Sequence, residues 1–189
     1  ENIANVAPYI GEAYFFFFFF YFKLMKRYGD LPWINKTLST NSEELYGERI
    51  SRSIIADSTI QDMNKAIEYL PLRSSATQGR IHKEAALLFL SRIALYEGSW
   101  EKYHQNTPFG VLNANPEHFF RTAADAAEKL INLGTHAIEK GGEKPNEYYW
   151  GLFNKKDYSS SKEIMMYRAH SISLGLIEWT NNYFGISDA

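Results

Sequence analysis

The chain contains no cysteine. Disulfide frameworks, thiol nucleophiles and cysteine-ligated metal sites are therefore excluded. Net charge is also nearly absent. Twenty Lys and Arg stand against 22 Asp and Glu, a balance of −2 that gives no electrostatic case for nucleic acid or an anionic membrane. No basic, apolar and cleavage-site sequence opens the chain at Glu1, and no closing element follows Ile186-Ser187-Asp188-Ala189. The chain therefore reads as an internal segment of a longer protein, with any signal peptide outside it.

The motifs of catalysis are missing as well. His82, His104, His118, His136 and His170 are scattered, and none forms a His-Glu-x-x-His or similar metal spacing. They read as surface or capping histidines. There is no Gly-x-Ser-x-Gly, no glycine-rich phosphate loop and no calcium loop. Glu43 and Glu44 are adjacent, which describes a solvated face, whereas a glycosidase pair is defined by separation in space. Asn35-Lys36-Thr37 matches a glycosylation sequon and carries little weight. The expectation is a protein that is not an enzyme and uses no cofactor or metal.

Aromatic residues are abundant, at 16% of the chain, enough for either a dense core or a ring-stacking ligand surface. Nine consecutive aromatics run from Tyr14 to Phe22. Glu12 and Lys23 bracket them too closely for a membrane span, which needs about 18 apolar residues or more, so a core helix is expected. Its stripe reads Ile3, Val6, Ile10, Ala13, Phe17, Phe20 and Leu24, stopped by Gly29 and Asp30-Leu31-Pro32. Aromatics on all sides call for partner helices on all sides.

Residues 33–49 read as a loop. A second helix is expected from Ser51 or Ser53 to Leu70, with Ile50, Ile54, Met63, Ile67 and Leu70 on one face. After the polar turn Ser74–Gly79, a third helix of strong helix formers is expected to close at Gly98. It carries Ala85, Ala86, Leu87, Leu88, Phe89, Leu90, Ile93, Ala94 and Leu95, and reads as surrounded by other helices. An irregular stretch from Ser99 to Asn115 precedes a fourth helix. Asn115 as N-cap, Pro116 at the first helical position and Glu117 in the first turn announce it, and Gly134 closes it. Its stripe reads Phe120, Ala123, Ala124, Ala127, Leu130 and Ile131. Beyond Lys140 the texture turns loop-rich, with a strand or extended segment expected at 163–169. The Ala85-Ala86 and Ala123-Ala124 pairs, on helices joined by turns, suggest tetratricopeptide-like packing. The fold class read from these patterns is mainly all-α.

Four segments in order resemble the SusD/RagB family. Gly11-Glu12-Ala13 with Tyr21 through Pro32 is similar to its first long helix, and Ile54 through Pro71 to its second. Gly79-Arg80 running into Lys83-Glu84-Ala85-Ala86-Leu87 and ending in Leu95-Tyr96-Glu97-Gly98-Ser99-Trp100 resembles its central helix. Tyr149 to Phe153, followed by Ser161 to Ile164, resembles the segment that leaves the helical core. One departure stands out: the family usually carries an arginine followed by a small residue where this chain has Phe17 and Phe18. Either the site is repacked, or these two residues are not the native ones; six consecutive phenylalanines weigh for the second.

The resemblance implies one SusD-like domain over residues 1–189, incomplete at both ends, with a tetratricopeptide-like helical repeat core over about 1–140, long loops and an irregular C-terminal segment over 141–189. It implies a Bacteroidota lipoprotein on the extracellular face of the outer membrane, anchored by a lipid outside this chain. Such a protein captures oligosaccharide and delivers it to a SusC-like TonB-dependent transporter. The alternatives are a peptide-binding RagB-type member or a protein-interaction scaffold. Sugar rings stack on Trp and Tyr while their hydroxyls take amide and carboxylate partners. On that chemistry the candidate ligand residues are Trp179, Asn181, Asn182 and Tyr183, with Tyr149 and Trp150 beside Tyr148 as a second cluster. Trp33, after its proline turn, reads as packing.

Overall fold

A computed structural model describes residues 3–139, 151–153 and 157–167. The chain divides into two compact units, Glu1–Ala76 with Ile81–Gly134, and Thr77–Arg80 with Thr135–Ala189. The first holds four helices: α1 (Ile3–Tyr28), α2 (Arg52–Tyr69), α3 (Lys83–Tyr103) and α4 (Pro116–Asn132). A single 3₁₀ turn, Glu43–Tyr46, interrupts the loop after α1. The described residues contain no named strand, and the all-α reading holds.

Successive helices run antiparallel. Gly11 near the start of α1 lies against Leu70 at the end of α2, where an added Cβ would come within 2.8 Å of Cγ. At the opposite end, Leu31 and Ile50 exchange backbone hydrogen bonds of 2.9 and 3.2 Å. Arg52 at the start of α2 reaches Glu97 late in α3. Gly98 receives Phe120 and the Pro116 carbonyl from the start of α4.

The core differs in phase from the expected stripes. On α1 the buried face is Phe15, Phe18, Phe22 and Met25, while Val6, Phe20 and Leu24 of the expected stripe are exposed. A run of nine aromatics is apolar in every direction, so it fixes a helix but not the face it buries. Phe16 and Phe20 remain open to solvent, the latter 61% exposed, so α1 lacks partners on all sides within the described residues. Phe18 is fully buried, and Phe17 packs on Tyr21 and Trp33. On α2 the face is Ile55, Ala56, Thr59, Ile60, Met63 and Ala66, and Ile54 points outward. On α4 it is Phe119, Ala123 and Ala126, with Ala124 and Ile131 exposed. The two alanine pairs are therefore not equivalent: Ala85 and Ala86 are both buried, but only Ala123 of the second pair is.

The third helix starts later and ends later than expected. His82 is its N-cap, its ring accepting from the Ala85 N–H at 3.4 Å, and the helix runs five residues past Gly98 to Tyr103. Gly98 is a close-approach residue, not a cap. Nor is α3 enclosed all round, since Leu88 and Leu95 are exposed. A Cβ on Gly98 would sit 2.9 Å from Phe120 Cδ1 and 3.1 Å from the Pro116 carbonyl oxygen. Gly98→Val should therefore force α3 and α4 apart and cost about 2 kcal/mol in urea unfolding. Asn115, Pro116 and Glu117 begin α4 as expected, and Gly134 ends it at φ 62°.

Three buried glutamates on α3 tie it to its surroundings. Glu84 accepts the Arg73 N–H at 2.9 and 3.1 Å and lies 3.0 Å from His82 Nδ1. Glu97 takes Arg52 Nε at 2.9 Å and a terminal guanidinium nitrogen at 2.7 Å. Glu101 accepts the Asn115 N–H at 2.6 Å and thereby fixes the start of α4.

In the second unit, the Ala137 N–H donates to the Lys162 carbonyl at 3.3 Å, and Glu139 and Glu163 each accept a backbone N–H from the facing segment. Residues 164–167 form no strand, and residues 168–169 of the expected segment lie outside the described residues.

Candidate functional site

Two helical stripes face each other across the α1–α2 pair. Ile10, Ala13, Tyr14 and Phe17 follow 3–4 spacing on α1, and Ser58, Gln61, Asp62 and Lys65 repeat the pattern on α2. With Trp33 and Asn35 they line an open groove of about 550 Å³, within the ~300–1,000 Å³ range of small-molecule sites. Part of the stripe assigned to the core of α1, namely Ile10, Ala13 and Phe17, thus lines a cavity.

Trp33 is placed by the turn after α1. Gly29, at φ 72°, ends the helix with its N–H on the Met25 carbonyl at 2.9 Å. Asp30 then accepts the Arg52 N–H at 2.9 Å, joining this turn to the start of α2. The Tyr21 hydroxyl accepts the Ile34 N–H at 2.7 Å and faces the Ile34 and Pro32 carbonyls at 3.2 and 3.4 Å. That clamp holds both flanks of Trp33. The indole meets Phe17 edge-on at 5.4 Å and Tyr21 at 4.5 Å between centroids. Trp33 therefore does pack, as its sequence context suggested, and it also lines the groove. Tyr21→Phe should free residues 32–34, lower stability by ~1–2 kcal/mol in urea unfolding, and weaken any ligand held on Trp33 several-fold.

The groove is chemically two-sided. Three rings, Tyr14, Phe17 and Trp33, supply apolar surface, and Tyr14 is steadied by stacking on Tyr69 at 6.5 Å and 5°. The Trp33 indole N–H, the Asn35 and Gln61 amides and the Ser58 hydroxyl make no hydrogen bond among the described residues, so donors and acceptors stand open beside the rings. Asp62 and Lys65 are paired at 3.3 Å, with Lys65 also over the Tyr14 ring at 5.2 Å. Such a surface can stack the apolar face of a ring and bind its hydroxyls. Sequence reasoning missed it, although the polar 3–4 stripe on α2 was a readable signal. A second cavity of about 480 Å³ lies along α2 and α4, where His118 Nε2 is 3.0 Å from Asp57.

Trp179, Asn181, Asn182, Tyr183, Tyr149 and Trp150 lie outside the described residues. Of the histidines, His82 caps α3 and His104 at its end stacks on Trp100 at 3.9 Å. Among the described residues no group of three His, Asp or Glu could hold a metal ion, and no helix is long and apolar enough to cross a membrane.

Antiparallel paired helices with a ring-lined polar groove between the first two define the architecture of this unit. Residues 1–95 match the SusD-like family model described as starch-binding and associating with the outer membrane, and the chain belongs to that family. No curated protein matches the chain. Among solved structures, a SusD-like protein from Bacteroides fragilis superposes with a TM-score of 0.64 at 23% identity, over 91% of this chain and 29% of its own. A SusD-like carbohydrate-binding protein from the same organism gives 0.62 at 21% identity, over 90% and 28%. A SusD homologue from Bacteroides thetaiotaomicron gives 0.59 at 22%, over 73% and 24%. The fold is thus SusD-like, and the chain spans less than a third of the length of these relatives.

Proposed function

We propose that this protein captures oligosaccharide at the cell surface and hands it to a SusC-like TonB-dependent transporter, breaking no bond and using no cofactor. The observation that carries the reading is the α1–α2 groove, where three rings stand beside uncommitted amides, a hydroxyl and an indole N–H. Membership of a family described as starch-binding supports it. A pyranose ring offers an apolar face and a rim of hydroxyls, the two chemistries this groove presents. Trp179, Asn181, Asn182 and Tyr183, with Tyr149 and Trp150, are proposed as further ligand contacts. The outer-membrane association in the family description supports a place on that membrane, and we assign the protein to its extracellular face through a lipid anchor.

Calorimetric titration of the complete protein against oligosaccharides and peptides tests the proposal. A glycan should bind, and Trp179→Ala should weaken it by ~1–3 kcal/mol, as for other aromatic platforms. Peptide binding with silent glycans would move the protein to the peptide-binding alternative. Silence from both would leave a protein-interaction scaffold.

A further inference from the structure

The charges in the groove point to a selection rule. Among the described residues, Lys65 is its one cationic lining residue and Asp62 the one acid. Asp62 Oδ1 lies 3.3 Å from Lys65 Nζ, and the Asp62 side chain is only 14% exposed against 51% for Lys65. The lysine also lies over Tyr14 at 5.2 Å. Lys36, next to Asn35, is paired with Glu44. Neither cation is uncommitted, whereas the open hydrogen-bonding groups at Trp33, Asn35, Ser58 and Gln61 are all neutral.

We propose that Asp62 is the specificity determinant of this groove: by holding Lys65 and presenting a carboxylate of its own, it selects neutral saccharides and rejects uronic acids. A neutral ring finds stacking surface and hydroxyl partners without disturbing either charge. A ring bearing a carboxylate at C6 brings a second negative charge beside Asp62, and Lys65 cannot neutralise both. Water screens the like-charge contact less on the Asp62 side, where the side chain is 14% exposed. This inference rests on the oligosaccharide reading and adds to it the chemical class of the sugar.

The test uses the complete protein and a matched pair of probes. The tightest-binding neutral oligosaccharide from the panel is compared with the same oligosaccharide oxidised at C6 to the uronate, by calorimetry at low and moderate salt. The neutral form should bind at least tenfold more tightly, with the ratio narrowing as salt rises. Asp62→Asn keeps the side-chain shape, removes the negative charge and releases Lys65, so the preference should collapse to within about threefold or reverse. Lys65→Met leaves Asp62 unpaired and should widen the ratio of neutral to uronate affinity, whatever its effect on the neutral sugar alone, which keeps the test decisive if the asparagine variant folds poorly. Equal binding of both probes by the unaltered protein, or an unchanged ratio in Asp62→Asn, would overturn the inference and leave oligosaccharide capture standing. If no neutral glycan binds at all, the functional reading and this inference fall together.

Discussion

Arg52→Ala is expected to lower the unfolding free energy by about 3–5 kcal/mol, because it strands the Glu97 carboxylate in the core. Both partners are withdrawn from water, with 5% and 0% of their side chains exposed, and the guanidinium meets the carboxylate through two nitrogens. Its Cζ also lies 4.0 Å from the centre of the Trp100 ring, so the arginine joins α2 to α3 by charge and by packing. Burial pushes the Glu97 carboxyl above the usual carboxylate range, and Arg52 pulls it back only in part. A folded-state pKa above the unfolded value stabilises the protein at pH below the carboxylate range, and the contribution is lost as pH rises through the folded value. Without Arg52 the upward push is unopposed. The deficit of Arg52→Ala should therefore be largest at neutral pH and shrink as the medium is acidified towards the carboxylate range, where Glu97 takes up a proton. Urea unfolding at several pH values measures this directly. Replacing both residues by methionine should recover much of the loss, since two apolar side chains leave no charge to solvate. A double variant as unstable as the single one would show that packing around Trp100, not charge, holds this junction.

Trp33→Ala should weaken glycan binding by at least tenfold while the helices stay folded. The indole is firmly set at the groove, with its backbone clamped by Tyr21 on both flanks and its N–H making no hydrogen bond among the described residues. Losing a stacking ring typically costs ~1–3 kcal/mol of binding, and the free N–H adds a lost hydrogen bond. Because Trp33 also packs on Phe17 and Tyr21, unfolding must be measured alongside. Trp33→Tyr, which keeps a ring, should retain part of the affinity. Gln61→Ala changes one exposed amide and should weaken binding by a smaller factor without touching stability.

Signals tied to local backbone chemistry were legible in the sequence. Asn115-Pro116-Glu117 and Gly134 bound α4 because an N-cap oxygen, a fixed φ and a left-handed turn act over a few residues. Signals that depend on tertiary contact were not. Gly98 looked like a stop and proved to be a point where α4 packs closely on α3. The aromatic run of α1 made a helix evident and hid its phase, so Phe15, Phe18 and Phe22 form the core and Phe17 turns to the groove. Buried glutamates were invisible for a related reason: Glu84, Glu97 and Glu101 look like surface residues until their partners arrive from positions 11 to 45 residues away. The groove itself was half visible. Trp33 and the α2 stripe of Ser58, Gln61, Asp62 and Lys65 were each on the page, but only the antiparallel pairing of α1 with α2 brings them to one cavity.

The most direct test of the central claim is a crystal structure of the complete protein with its tightest-binding oligosaccharide. A sugar ring lying on the Trp33 indole, with hydroxyls within hydrogen-bonding distance of Asn35, Ser58 or Gln61, is the result expected. An ordered oligosaccharide bound elsewhere, with the α1–α2 groove holding only solvent, would contradict it.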